Sequence, residues 1–363
     1  MKKTLGISLI VLVLAFAVFG QKLGKPTQAS VPATAAQQKT LQEGIKLHDE
    51  KNYAEAITKY RSILAESPDC TQAMYELSLS LQSKGEKLEA VETAYRGSKY
   101  ISDELPLFYV LIANNLDDLG KPQDAINIYL DGLKALAGDN RFGNYRSSLY
   151  FNLGVTYLKQ KKYSDARQAL KSAVENDFGY ASPHYMLSYV YNGTRYKIPA
   201  LLAAARFISL EYGTDRTTIA ANTIVDVLKP APKDPKTGNI NITLDMNAPK
   251  DEGNFDMFDL FLGTLTISKD DKDKKKTDNE LFVDGMNTVI ALLAEDKKIA
   301  STFVGKNYLP FMVEMKKNGY VEVFSYMALY LSGKQDAMDW LKGNDAKLGS
   351  FIAWAKAYQQ PPK

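Results

Sequence analysis

The chain has 363 residues, of which 45% are hydrophobic and 24% are charged, and its formal net charge is +3. These proportions are those of a folded, soluble protein that is long enough for two domains of ordinary size. A net charge this close to zero lacks the excess of positive charge that is typical of nucleic-acid-binding proteins, so we expect no nucleic-acid partner.

The first twenty residues have the organisation of an export signal. Lysines at residues 2–3 precede an apolar run at residues 5–19, which is short for a full membrane span. The sequence Val-Phe-Gly at residues 18–20 fits a signal-peptidase site. We predict a signal peptide at residues 1–20, with an uncleaved anchor as the alternative, and no stable membrane span after cleavage. The mature protein is then exported and periplasmic, or associated with a bacterial cell envelope.

The segment that follows the signal is rich in Pro, Ala, Gln and Thr. This composition is typical of a flexible chain, so residues 21–36 are predicted to form a flexible leader. Regular helical spacing of apolar residues begins only after it.

One pattern of large and small residues recurs after the leader. Its clearest copy is Ser147–Tyr180, in which Gly154 and Ala166 are small while Tyr157 and Leu170 are large. This spacing predicts two amphipathic helices joined by a tight turn, with the small residues where the helices approach closely. Further copies occupy Gln37–Cys70, Thr71–Glu104, Pro106–Asp139 and Ala181–Gly213. The pattern resembles the tetratricopeptide repeat, a helix-turn-helix unit of about 34 residues.

The resemblance implies a right-handed superhelix whose concave groove is lined by the first helix of each pair. A further helix at Thr214–Leu228 has an apolar side and is predicted to cap the last repeat. We therefore predict an all-α fold in which a solenoid of five repeats plus a capping helix spans residues 37–228.

The remainder of the chain is predicted to hold a linker and a helical domain. Residues 229–253 are rich in Pro, Lys and Gly, and within them residues 240–246 alternate apolar and polar like a strand. Residues 254–363 return to helical spacing and resemble no motif that we recognise. Their predicted helices cover 255–265, 279–295, Pro310–Gly319, Val321–Leu331 and two short stretches around Trp340 and Trp354.

Metal binding and acid–base catalysis have little support in the sequence. The two histidines, His48 and His184, lie in different repeats, and neither has a second histidine or cysteine at ligand spacing. We predict that both are packing or groove residues. The run Lys269–Glu280 mixes charges of both signs and is predicted to be a solvated loop instead of a calcium site. We predict no catalytic residue, no metal site and no cofactor.

The exposed positions of the first helices hold aromatic and polar side chains that suit a polypeptide ligand. By the repeat pattern these are Tyr75, Glu76, Asn114, Asp117, Phe151, Asn152, Tyr185 and Tyr189. Asparagine can hydrogen-bond a peptide backbone of any sequence, and tyrosine gives a large contact area at low entropic cost. Some proteins with this repeat hold a C-terminal carboxylate with lysine and arginine, which the equivalent places here lack. The predicted ligand is therefore an extended peptide or a helix. The alternative is that the aromatic residues pack between repeats.

These observations predict a non-catalytic scaffold whose partner is another protein or peptide, bound in the groove. One alternative is a structural subunit of a larger envelope complex in which the groove is filled permanently. The other is an enzyme in the C-terminal domain that uses acids such as Asp256, Asp259 and Asp284. The sequence leaves open the identity of the partner, the oligomeric state and the role of the C-terminal domain.

Overall fold

The computed structural model describes residues 23–229, 236–237, 250–264 and 276–360, except for the side chains of residues 259 and 262–264. The predicted signal peptide, the strand-like run and most of the charged run lie outside the described residues. The chain divides into two compact units, which we call the N-terminal unit, ending at Ala169, and the C-terminal unit, beginning at Leu170.

The N-terminal unit consists of stacked helix pairs. Its elements are β1 (Gln28–Ala29), α1 (Ala35–Asp49), α2 (Tyr53–Glu66), α3 (Thr71–Lys84), α4 (Lys87–Gly97), β2 (Tyr100–Ile101), α5 (Leu105–Asp118), α6 (Pro122–Ala135), α7 (Gly143–Lys159) and the start of α8 (Tyr163–Asn176). A short 3-10 helix at Asn140–Phe142 precedes α7. The predicted helix pairs of the first four repeats are therefore present, and their bounds agree with the sequence pattern to within a few residues.

Small residues let the helices of a pair approach closely, as the spacing predicts. A Cβ atom on Gly44 of α1 would lie 2.5 Å from Cε1 of Tyr60 on α2, so only glycine leaves room for this ring. Tyr60 is fully buried, together with Ala56 of the same helix. Gly85 ends α3 in the left-handed conformation with φ of 92°, which glycine adopts without strain.

The segment predicted to be a flexible leader is hydrogen-bonded to the repeats along residues 23–34. The backbone N–H of Thr27 donates to the carbonyl of Lys99 at 3.0 Å, and that of Val31 donates to the carbonyl of Asp69 at 3.2 Å. β1 pairs in parallel with β2. These contacts use backbone groups beside the turns that follow α2 and α4, so a composition rich in proline and alanine does not reveal them.

The C-terminal unit contains the end of the repeats and the remaining helices. These are the end of α8, α9 (Ala181–Gly193), α10 (Lys197–Leu210), α11 (Asp215–Leu228), α12 (Asp256–Thr264), α13 (Asp278–Glu295), α14 (Lys297–Ala300), α15 (Phe303–Asn307), α16 (Leu309–Lys317), α17 (Val321–Leu331), α18 (Gln335–Gly343) and α19 (Asp345–Ala357). The predicted fifth pair corresponds to α9 and α10, and the predicted cap corresponds to α11. The all-α repeat fold is confirmed.

The last helices pack directly on the end of the repeats. α17 contacts α11 and α13, and α19 contacts α10. The fully buried side chains of Phe311, Phe324 and Phe351 come from α16, α17 and α19. Within this unit the cap predicted to shield the final repeat is therefore itself covered by α17.

Candidate functional site

Six of the predicted groove residues lie on the first helices of the N-terminal unit. They are Tyr75 and Glu76 on α3, Asn114 and Asp117 on α5, and Phe151 and Asn152 on α7, and all six are half-buried. Successive first helices contact one another, α1 with α3, α3 with α5 and α5 with α7. We call the surface that these six residues share with the facing side chains of α1 the first-helix face.

The side-chain amide of Asn114 is held in one orientation. The hydroxyl of Tyr129 on α6 donates a hydrogen bond to Asn114 Oδ1 at 2.5 Å. Burial raises the pKa of Tyr129, so this hydroxyl keeps its proton and remains a donor. Among the described residues, neither Asn114 Nδ2 nor the amide of Asn152 has a hydrogen-bond partner. The two asparagines therefore offer N–H donors at the first-helix face.

Asp117 differs from the asparagines because it already has a partner. Lys159 Nζ on α7 lies 2.6 Å from Asp117 Oδ2, and the Asp117 side chain is only 9% exposed. The Lys159 side chain is 57% exposed, so this ion pair lies at the surface, with its acidic member shielded, and it joins α5 to α7. We therefore assign Asp117 to holding two first helices together, and its carboxylate is already neutralised before any ligand arrives.

On α3, Tyr75 contacts another side chain, whereas Glu76 has no hydrogen-bond or ion-pair partner among the described residues. The ring of Tyr75 meets the ring of Phe108 edge-to-face, with centroids 6.3 Å apart, so part of this side chain belongs to the core. Glu76 makes no hydrogen bond or ion pair with any described residue. Burial raises the pKa of the Glu76 carboxyl, and the nearby Asp49 raises it further. The face thus contains one half-buried carboxylate without a counter-ion.

The other two predicted residues, Tyr185 and Tyr189, lie on α9 of the C-terminal unit. The ring of Tyr185 packs on Phe207 with centroids 5.0 Å apart, and the Arg216 guanidinium lies 5.4 Å from its centroid. Tyr185 therefore packs within its own helix pair and against the capping helix. Tyr189 is 61% exposed, which leaves its ring accessible to a ligand.

Both histidines are engaged in hydrogen bonds. His184 is fully buried, and its Nε2 donates to the Phe178 carbonyl at 3.0 Å while its Nδ1 accepts from the Tyr308 hydroxyl at 2.9 Å. Burial, and then the charge of Arg206, lower the pKa of His184 to about 3, so the ring is neutral. In the N-terminal unit, His48 Nδ1 lies 2.7 Å from Ser80 Oγ. No group of three His, Cys, Asp or Glu side chains within the described residues is placed to hold a metal ion.

Arg206 is a buried cation that the sequence pattern did not single out. Its Nη1 donates to the Ala355 carbonyl of α19 at 2.7 Å, and its Nε and Nη2 donate to the Phe178 carbonyl at 3.4 and 3.3 Å. The guanidinium also lies 4.5 Å from the Phe178 ring centroid and 4.8 Å from that of Phe311. Burial lowers the pKa of Arg206 to about 10. This residue ties α10 to the last helix, so its role is structural.

The end of the predicted linker is attached to the repeats by a buried ion pair. Both carboxylate oxygens of Glu252 lie 3.1 Å from Lys171 Nζ on α8, and Glu252 is 5% exposed. The Lys171 ammonium also lies 5.0 Å from the ring centroid of Phe303. The linker composition did not reveal this contact, because it depends on one acidic residue and a partner far away in sequence.

The acids named for an enzymatic alternative are engaged separately. Asp256 Oδ2 lies 2.5 Å from Lys250 Nζ, and Asp284 Oδ2 lies 2.6 Å from Lys276 Nζ, both in solvent-accessible ion pairs. The side chain of Asp259 lies outside the described residues.

Among the helices of the described residues, none combines the length and the apolar composition that a membrane span needs.

Comparisons with known proteins identify the repeats. A family model described as tetratricopeptide repeat matches residues 41–104 and 110–181. Similar solved structures include Pseudomonas aeruginosa PilF (18% identity, TM-score 0.46, 53% of this chain and 84% of that chain). They also include a thermophilic tetratricopeptide-repeat protein of Thermus thermophilus (18%, 0.41, 52% and 99%) and MamA of Desulfovibrio magneticus (15%, 0.39, 50% and 99%). No curated protein sequence matches the chain.

Proposed function

The chain carries tetratricopeptide repeats, and from this premise we propose that it is a non-catalytic scaffold that binds another polypeptide on the first-helix face. The observation that carries the proposal is the pair of half-buried asparagines with free N–H donors, Asn114 and Asn152. Half-buried amides remain accessible to water in the unbound protein, and a ligand that accepts their hydrogen bonds replaces that water.

The proposed mechanism is binding, with no covalent step. The carbonyl groups of an extended peptide accept hydrogen bonds from the two asparagine amides, while Tyr75 and Phe151 supply apolar contact on either side. Because Tyr129 already fixes the amide of Asn114, little side-chain entropy is lost when the ligand binds there. Backbone recognition of this kind accepts many sequences, so selectivity depends on other positions.

We further propose that the protein acts after export, in a bacterial cell envelope. The support is the basic start and apolar run at residues 1–20 of the sequence. The test is mass spectrometry of the N-terminal peptide of the protein isolated from its source. A mature chain that begins at Gln21 is expected, whereas an intact Met1 on protein from the soluble cytoplasm would contradict export.

A photo-crosslinking experiment tests the proposed binding surface. A photoreactive phenylalanine analogue replaces Phe151 on the first-helix face, which keeps both asparagine amides, or, as a matched control, Leu130, which is exposed on the second helix of its repeat. After irradiation in the native cells, a discrete adduct is expected only from position 151. Adding Asn114→Ala to the first variant should weaken that adduct. Equal adducts from both positions, or an adduct only from position 130, would contradict the proposal.

A further inference from the structure

The first-helix face continues onto α1, where two hydrogen-bonded bridges join α1 to α3. Gln38 Nε2 donates to Gln72 Oε1 at 3.0 Å, and His48 Nδ1 lies 2.7 Å from Ser80 Oγ. Residues 72, 76 and 80 follow one another at intervals of a helical turn, so they form one stripe along α3. Glu76 is the middle residue of this stripe, and it is the member that has no bridge to α1.

The surroundings of Glu76 contain negative charge and no described positive charge. Asp49, which directly follows His48 on α1, is exposed and also lacks a hydrogen bond or ion pair to any described residue. Its charge adds to burial in raising the pKa of Glu76. One turn before Asp49, Ile45 packs on the core and offers no hydrogen-bond donor. The free protein therefore leaves the carboxylate uncompensated.

The hydroxyl of Tyr60 is a second polar group close to Glu76. The ring of Tyr60 on α2 packs against Gly44 of α1, with its carbon Cζ 2.8 Å from the position of an added Cβ. This hydroxyl is buried and has no hydrogen-bond partner of good geometry. Burial and then the charge of Glu76 raise the pKa of Tyr60, and Asp49 adds to this effect, which places both carboxylates close to it. The raised pKa keeps the Tyr60 hydroxyl protonated and neutral, so this group supplies no positive charge to Glu76.

We infer that this end of the first-helix face receives a lysine or arginine side chain of the bound polypeptide, with the Glu76 carboxylate as its counter-ion. The inference rests on the proposed function and names one determinant of its selectivity. A half-buried carboxylate is stabilised by a cation that brings hydrogen-bond donors, and Asp49 adds a second negative charge at the rim. The asparagines of α5 and α7 then bind backbone, while Glu76 selects for charge.

Peptide pools provide the test. Short peptides, randomised except for a central Arg, Lys, Gln or Glu, are immobilised and exposed to the full chain. Variants Glu76→Gln and Glu92→Gln are compared with the wild type. Glu92 is the matched control because it is half-buried on the second helix α4, has a pKa raised by burial and then by Glu89, and lacks a described partner. We expect about tenfold more retention on the Arg and Lys pools than on the Gln pool for wild type and Glu92→Gln, and no such preference for Glu76→Gln.

The outcomes separate this inference from the function on which it rests. Peptide binding by the wild type without a preference for basic pools, or with a preference that Glu76→Gln retains, overturns the inference and leaves the scaffold function in place. Absence of binding to every pool overturns both. Thermal unfolding supplies an independent readout, since removing an uncompensated charge should leave the Tm of Glu76→Gln unchanged or higher. A clear fall in Tm would identify Glu76 as structural and would overturn the inference.

Discussion

Two polar groups of the C-terminal unit and two of the N-terminal unit differ in whether they have a partner. In the C-terminal unit, the fully buried His184 and Arg206 direct their donors at carbonyl groups and aromatic rings of the same unit. In the N-terminal unit, the half-buried Asn114 and Glu76 keep a donor or a charge without a described partner. A fully buried polar group left unpaired costs about 1–3 kcal/mol, whereas a half-buried group that water can reach costs less. The first arrangement stabilises the fold, and the second leaves hydrogen-bonding groups that a ligand can bind.

The largest effect is expected for Arg206→Ala. The substitution removes hydrogen bonds to two buried carbonyls, abolishes the contacts with Phe178 and Phe311, and opens a cavity. We expect the free energy of unfolding to fall by about 3–5 kcal/mol, measured by chemical denaturation. Arg216→Ala is the control, because its ion pair with Glu211 is partly exposed and should contribute less than about 1 kcal/mol. Similar losses for the two variants would contradict the structural role of Arg206.

The next effect concerns pH. His184 has an ordinary pKa of 6.5 in the unfolded chain and a pKa of about 3 in the folded protein. Below pH 6.5 the unfolded chain therefore binds a proton at His184 that the folded protein does not bind. Through His184, the free energy of unfolding is therefore highest above pH 6.5 and falls as the pH drops towards 3, by about 1.4 kcal/mol per pH unit. His184→Gln should therefore flatten the dependence of unfolding free energy on pH by about 2 kcal/mol between pH 6.5 and about pH 5. An unchanged slope in His184→Gln would refute the assignment.

A smaller loss is expected from Gly44→Ala in the N-terminal unit. The new methyl group would meet the Tyr60 ring at 2.5 Å, so either the ring or α1 must move. The cost should be about 1–3 kcal/mol, read as a lower denaturation midpoint. Gly193→Ala provides the comparison, because nothing lies within 4 Å of its added Cβ and the change should be neutral or slightly stabilising. If both substitutions are neutral, the close approach of α1 and α2 is less tight than described.

The smallest effect on stability is expected for Asn152→Ala. Its amide has no described partner in the free protein, so the free energy of unfolding should change by no more than about 0.5 kcal/mol. The same substitution should weaken partner binding in a pull-down with the crosslinked partner. A large loss of stability would mean that Asn152 belongs to the internal packing, and the contrast between the two units would disappear.

The repeat helices were predictable because their signal is local. Small residues such as Gly44 and Ala56 recur where helices touch. This spacing predicted the bounds of the helix pairs and of the cap to within a few residues. The strand pair of Gln28–Ala29 with Tyr100–Ile101 was not predictable, because backbone hydrogen bonds leave no pattern in the side chains. The short helices α14 and α15 were missed, since four or five residues are too few to show helical spacing.

The candidate site was only partly predictable from the same information. The repeat pattern locates the positions of the first-helix face, but it does not show that Asp117 is already paired while Asn114 keeps free donors. Those differences depend on Lys159 and Tyr129, which come from neighbouring helices. The burial of Arg206 was likewise hidden, because its partner carbonyl on Ala355 is far away in sequence.

The most direct test of the central claim is the affinity of the polypeptide that photo-crosslinking identifies. A synthetic peptide with the crosslinked segment is titrated by calorimetry into the wild type, into the double variant Asn114→Ala with Asn152→Ala, and into Asn127→Ala, an exposed asparagine on the second helix α6. Two lost hydrogen bonds should weaken binding by about tenfold in the double variant, with no change for Asn127→Ala. Equal affinities for all three proteins would contradict binding on the first-helix face.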